Sequence, residues 1–290
     1  MRPLTNSRSA NIFGLAAMAL WAGTSALLTY TESVPAILTA ALSCLFGFAG
    51  FIVYWIATSR DLQQRLRVPL PGLLLAVIGI GGYRLLYFSA FEYSPAVEVS
   101  LINYLWPILI VLFAALLPNE PRRWRHVAGA FLGFAGVGVL LLGDGATFKS
   151  LSVGHELAFA AAIVWAAFSI LRRRIKSHAG DVPVSLLAIG FGLLTIYYLE
   201  EPPTVAISLQ AWLAIGALGI SSSLGYFLWD VAVKHGDIQM LSVVSYATPL
   251  ASTGLLIALG KADASPSVLL AAGLVGLGGI VGAWGQARRS

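Results

Sequence analysis

Long apolar runs broken by short polar rims dominate the chain. A helix needs about 20 apolar residues to cross a bilayer. On that measure ten candidate spans cover residues 11–30, 34–57, 71–92, 95–117, 124–143, 154–174, 182–199, 208–233, 237–260 and 265–285. The span at 182–199 is the shortest. Those at 71–92 and 208–233 are the most interrupted, the first by Gly79, Gly81 and Gly82, the second by Ser221, Ser222, Ser223 and Gly225. The connecting loops leave no room for a nucleotide-binding or other soluble domain. Span 11–30 follows Arg2 and Arg8 and could pass for a signal peptide, but it has an internal counterpart at 154–174. The expected fold class is therefore all-α integral membrane, with ten transmembrane helices.

Composition agrees. Hydrophobic residues make up 58% and charged residues 11%, against about 25% charged in a soluble domain. The net charge of +5 would suggest nucleic acid if it were gathered in a patch, but it lies in thin rims. Arg2, Arg8, Arg60, Arg65, Arg67, Arg122, Arg123, Arg125, Arg172, Arg173, Arg174, Lys176, Lys234, Arg288 and Arg289 fall on one side of the ten-span arrangement. Lys149 and Lys261 fall on the other, with Glu32, Asp144, Glu200, Glu201 and Asp263. Basic loops stay cytoplasmic, so both termini are expected in the cytoplasm. The single cysteine, Cys44, excludes a disulfide framework within the chain.

The chain also repeats itself. Ser100, Tyr104 and Pro107 of VSLINYLWP match Ser242, Tyr246 and Pro249 of LSVVSYATP at one offset, and the register carries back to Tyr87 with Trp229 and Glu92 with Lys234. Trp21 and Ser25 match Trp165 and Ser169, while Gly133 and Gly136 match Gly276 and Gly279. The halves, 1–146 and 147–290, each hold five spans. An odd number makes the second half enter from the opposite face, giving two inverted five-helix repeats around a central cavity, as in many secondary transporters.

Within this frame a few residues carry candidate chemistry. Pro107 and Pro249 lie midway along spans four and nine and free the carbonyls of Asn103 and Ser245. They read either as hinges beside a substrate path or as ordinary kinks. Tyr83, Tyr87, Tyr104, Trp106, Tyr226, Trp229 and Tyr246 cluster in the same spans. Trp55, Tyr197, Tyr198 and Trp229 fit an interfacial belt, whereas Tyr104 and Tyr246 are too deep for one and suit a pocket. Arg84 is the costliest residue in the spans. It suits a substrate carboxylate, or a structural pair with Glu98. Asp230 suits an i, i+4 pair with Lys234. Gly129, Gly133 and Gly136, with Gly273, Gly276, Gly279, Gly282 and Gly285, suit close packing of spans five and ten, or a dimer contact. The histidines, His126, His155, His178 and His235, are scattered, and no metal or cofactor site is expected. Nor does a buried acid stand out as a proton carrier.

Val97-Glu98-Val99-Ser100-Leu101-Ile102-Asn103-Tyr104-Leu105-Trp106-Pro107, Ser245-Tyr246-Ala247-Thr248-Pro249 and Lys234-His235-Gly236-Asp237 resemble the drug/metabolite transporter superfamily in its EamA branch. That resemblance implies a basket of helices, with spans three, four, eight and nine in the cavity wall. It also implies export of aromatic and other neutral amino acids across a bacterial inner membrane. The expected binding residues are Tyr83, Tyr87, Asn103, Tyr104, Trp106, Trp165, Ser245 and Tyr246, with Arg84 for the carboxylate and Pro107 and Pro249 as hinges. Efflux of drugs or other small metabolites is the alternative. Expected partners are an amino-acid substrate and lipid, with no nucleic acid and no dedicated protein partner. A lipid-modifying enzyme would need clustered acid, base or metal groups, which the spans lack.

Overall fold

Apolar runs become helices here because lipid offers backbone groups no partner, and a helix satisfies them within the segment. The computed structural model describes residues 7–58, 62–94, 96–116, 124–142, 152–176, 178–199, 205–260 and 263–283. Among these, eight helical stretches are long and apolar enough to cross a membrane. In chain order, α1 is Ser7–Leu28, α2 Ala36–Thr58, α3 Leu70–Tyr93, and α4 Ala96–Asn103 with Trp106–Ala115. Next come α5 Trp124–Leu142, α6 Val153–Leu171, α7 Asp181–Leu199 and α8 Leu209–His235. Last are α9, Ile238–Val244 with Ala247–Ala258, and α10, Pro266–Ala283. Helices α5 and α10 are the two apolar helices outside the eight. Arg2, Arg60, Arg122, Arg123, Asp144, Lys149, Glu200, Glu201, Lys261, Gly285, Arg288 and Arg289 lie outside the described residues.

The two interrupted spans diverge. In α3 the glycines sit in a π-helical turn, Val77–Gly82. Gly79 there meets α6 so closely that a Cβ would fall 2.2 Å from the Phe168 ring. The serines of α8 leave the helix unbroken over 27 residues, because a serine hydroxyl can fold back onto its own turn, as Ser221 does onto the Leu218 carbonyl. Helices α4 and α9 break at matching places, Tyr104–Leu105 and Ser245–Tyr246, just ahead of Pro107 and Pro249. At the second break the Thr248 amide reaches the Ser245 carbonyl at 3.0 Å, so that carbonyl is not freed as expected.

The packing follows the repeat. Helix α1 lies along α8 as α6 lies along α3, α2 packs on α7, α4 on α9, and α5 runs beside α10. Residues at matching positions touch: Trp21 meets Trp165 edge-on at 5.8 Å, and Tyr246 donates to the Tyr104 carbonyl at 3.1 Å. The expected α5–α10 contact is present: Gly136 takes part from α5, where a Cβ would fall 2.8 Å from the Val275 side chain, and Gly278 takes part from α10. A Cβ there would stand 2.6 Å from the Gly129 carbonyl oxygen, while Gly273, Gly276 and Gly279 have nothing within reach. Three-residue spacing walks around a helix, so only part of such a stripe can face one neighbour.

The outward face is apolar, with Ile12, Val53, Ile56, Ile78, Leu213, Leu269 and Ile280 exposed. Tyr198 is exposed as a belt residue would be, but Trp55, Tyr197 and Trp229 are buried in protein. Two ends are distinct. Arg65, Arg172, Arg173 and Lys234 gather at one, where Arg173 also donates to the Val233 and Gly236 carbonyls. At the opposite end Ser94 bonds Ser152, joining the end of α3 to the start of α6.

Candidate functional site

Between the two ends lies a cavity of about 270 Å³, lined by α1, α2, α3, α4, α6, α8 and α9. Its wall takes in Tyr83, Arg84, Tyr87, Asn103, Tyr104, Trp106 and Trp165, seven residues singled out by the sequence. Ser245 and Tyr246 are not in it. Ser245 donates to the Ser242 carbonyl at 2.6 Å, and Tyr246 is fully buried among residues of α4, α5 and α10. The turn ahead of Pro249 rotates both away and presents Thr248 to the cavity instead. Pro107 and Pro249 are buried in packing, one turn from the breaks.

Aromatic rings form the floor. Trp165 is central, with Trp21, Tyr83, Trp106, Tyr226 and Trp229 each within 6.4 Å of it, centroid to centroid. Tyr83 and Tyr87, one turn apart on α3, stack at 5.5 Å with an 11° tilt. Trp229 is fully buried and donates its indole N–H to Ser169 at 3.0 Å. A rim residue would not need an internal partner, so the belt reading of Trp229 is corrected.

Arg84 is buried, with 6% exposure, yet makes no pair with Glu98. Its guanidinium reaches the Ala40 carbonyl (2.9 Å), Ser43 Oγ (3.0 Å), Cys44 Sγ (3.0 Å) and Tyr226 Oη (3.3 Å). A fifth contact, to Ser222 Oγ, is stretched to 3.5 Å. Every one of these partners is neutral. The charge also stands 5.5 Å from the Tyr226 ring centre. Donors are thus largely satisfied while the positive charge is left without a counter-charge, at a depth where charge is expensive.

Glu98 turns to His155 instead, at 2.6 Å. The Ser152 amide donates to His155 Nδ1 at 3.0 Å, which leaves Nε2 to carry the hydrogen to the carboxylate. Asp230 pairs with Lys234 as expected and also with Arg172, which holds Asp181 at 2.9 Å as well. Among the described residues Glu98, Asp181 and Asp230 are thus buried carboxylates. All three have cationic or imidazole partners. No group of three or more His, Cys, Asp or Glu that could hold a metal occurs among the described residues.

Several cavity atoms have no partner in the protein: Asn103 Oδ1, Trp21 Nε1, and the hydroxyls of Thr24, Thr39 and Thr248. Asn103 is 4% exposed and spends its amide N–H on Tyr83 Oη at 3.3 Å, so its carbonyl oxygen remains to accept. Unpaired buried polar atoms are uncommon in proteins and call for a partner from outside. Sequence reasoning missed most of this wall. Tyr226 stood in the aromatic cluster and Trp21 matched Trp165 in the repeat, but neither was taken as a binding residue. The three threonines carry no such signal.

An apolar exterior around a polar and aromatic hollow defines a membrane transport protein. The chain belongs to the EamA-like transporter family, whose pattern matches it twice, over residues 8–142 and 152–283. It is 37% identical over 285 residues to the aromatic amino acid exporter YddG of Ancylobacter novellus, covering 97% of this chain and 99% of that protein. Its identity to the exporter of that name in Escherichia coli K12 is 26% over 295 residues, at 97% and 99% coverage. A crystal structure 36% identical superposes with a TM-score of 0.90 over 98% of this chain and 99% of the other. The family and the two exporters are transporters and not enzymes.

Proposed function

We propose that this protein exports aromatic and other neutral amino acids across a bacterial inner membrane by alternating access. In this reading ten helices form two inverted five-helix repeats, 1–146 and 147–290, with both termini and the arginine-rich end in the cytoplasm. The twofold family match and the touching of matching residues support the repeat, since equivalent positions meet only near an axis relating the halves. The gathering of Arg65, Arg172, Arg173 and Lys234, from three separate connections, at one end supports the orientation.

The observation that carries the substrate class is the charge left open at Arg84 in the same cavity as the orphaned Asn103 Oδ1. A zwitterion supplies both missing partners. Its carboxylate meets Arg84 and its ammonium meets Asn103 Oδ1. Tyr83, Tyr87, Trp106 and Trp165 then hold the apolar side chain, and Tyr104 lines the same wall. Charge-assisted hydrogen bonds of this kind are worth about 1.5–3 kcal/mol each. The cavity, at about 270 Å³, lies just below the roughly 300–1,000 Å³ typical of ligand pockets. That size favours one amino acid over a bulky drug. Breaks ahead of Pro107 and Pro249 supply points of flexure.

Counterflow in proteoliposomes tests the proposal. Vesicles loaded with unlabelled phenylalanine should accumulate labelled phenylalanine or tryptophan well above protein-free vesicles. Phenethylamine, which lacks the carboxylate, should compete poorly. Equal competition by the amine would remove Arg84 from the substrate site, and uptake no greater than in empty vesicles would remove this substrate class.

A further inference from the structure

The two ends of the cavity are built from matching residues of opposite chemistry. At the basic end Arg172 and Asp230 close α6 against α8 through a 2.5 Å contact, with Asp181 and Lys234 beside them. The offset that takes Trp21 to Trp165 takes Leu28 to Arg172. The offset that takes Tyr104 to Tyr246 takes Phe88 to Asp230. Leu28 and Phe88 instead line the cavity. We infer that Leu28 and Phe88 form the second gate of the transport cycle, an apolar closure that replaces the ionic one when the halves exchange shapes.

Some contacts already occur in both halves and therefore survive such an exchange. Helix α1 on α8 is matched by α6 on α3. Asn11 Oδ1 accepts from the Asp237 amide, tying α1 to α9, and His155, at the position matching Asn11, ties α6 to α4 through Glu98. The Arg172–Asp230 contact has no such formed counterpart, so it is the one that must break and be remade at the other end. The chemistry suits the division. Ions released from a closed contact regain water, which limits the cost of opening. Leu28 and Phe88 gain by leaving water, which favours closing. The pairing presupposes the exchange of shape proposed above, but not the identity of the substrate.

Paired cysteines in membrane vesicles test it. The full chain carries Cys44→Ala, so that only introduced thiols react. Leu28→Cys with Phe88→Cys reports the proposed gate through a short thiol cross-linker. Ser169→Cys, in a second chain, reports opening of the basic end through a membrane-impermeant maleimide, because Ser169 is buried beneath the ionic contact. Glu98→Cys with His155→Cys marks a contact that persists in both states, and its cross-link certifies the fold. Arg172→Met is then added to each, with Asp230→Asn as the gentler variant should methionine prevent folding. Both the Ser169→Cys labelling and the Leu28–Phe88 cross-link should rise at least tenfold as the population shifts toward the state open at the basic end. Labelling that rises while the cross-link does not would overturn the gate and leave alternating access standing. If neither changes, alternating access and the gate fall together.

Discussion

Two buried arginines show how differently one side chain can be used in the same bundle. Arg172 has no exposure and two carboxylates within 3.0 Å, Asp181 and Asp230. Arg84 has 6% exposure and only neutral partners. A buried charge with charged partners is complete, and its role is to hold helices together. A buried charge whose donors are met by carbonyl, hydroxyl and thiol still lacks a counter-charge, and it lines a cavity a solute can enter. The difference separates a residue that fastens the protein from one that waits for a ligand.

The largest effect is expected from breaking the complete cluster. Asp230→Asn should cost the closed arrangement about 3–5 kcal/mol, the usual penalty for removing one partner of a buried pair. A clear fall in the melting temperature of the detergent-solubilised protein would register it, and an unmoved melting temperature would erase the contrast between the arginines. Next, Arg84→Gln should leave melting within a few degrees yet weaken phenylalanine binding by about 1.5–3 kcal/mol, roughly ten- to a hundredfold, measured as the concentration giving half-maximal counterflow. Arg84→Lys keeps the charge but not the planar fork, so it should recover only part of that loss. The smallest change comes from Tyr226→Phe. Deleting one neutral partner of Arg84 should cost about 0.5–1.5 kcal/mol in stability and leave the carboxylate preference over phenethylamine intact. Loss of that preference would mean that Tyr226, not Arg84, reads the carboxylate.

How much of this could be read in advance varies with the residue. The helical spans and the two proline breaks were legible, because each depends on local composition, while the glycines of α5 and α10 left packing between them open beside a dimer contact. Seven of the nine residues expected to bind the substrate or its carboxylate lie in the cavity wall. Ser245 and Tyr246 were misplaced because a proline removes one hydrogen bond without saying which way the following turn swings. The Arg84–Glu98 pair was a reasonable match of opposite charges, but His155 stands nearer to Glu98, and no sequence spacing reveals a neighbour 57 positions away. Glu98 and Asp230 were read only as members of charge pairs, and Asp181 carried no signal at all. Burial came from helices α6 and α8 arriving beside them.

By itself the sequence determined that the chain belongs in lipid, that its charges gather in rims, and that its two halves are related. Hydrophobic run length, charge placement and a near-constant offset are properties of the chain, fixed before it folds. The tertiary structure decided which arginine is paired, which tyrosines face the hollow and which glycine admits a neighbouring helix. Those outcomes depend on the rotation of each helix about its axis, and rotation is set by packing against partners distant in sequence.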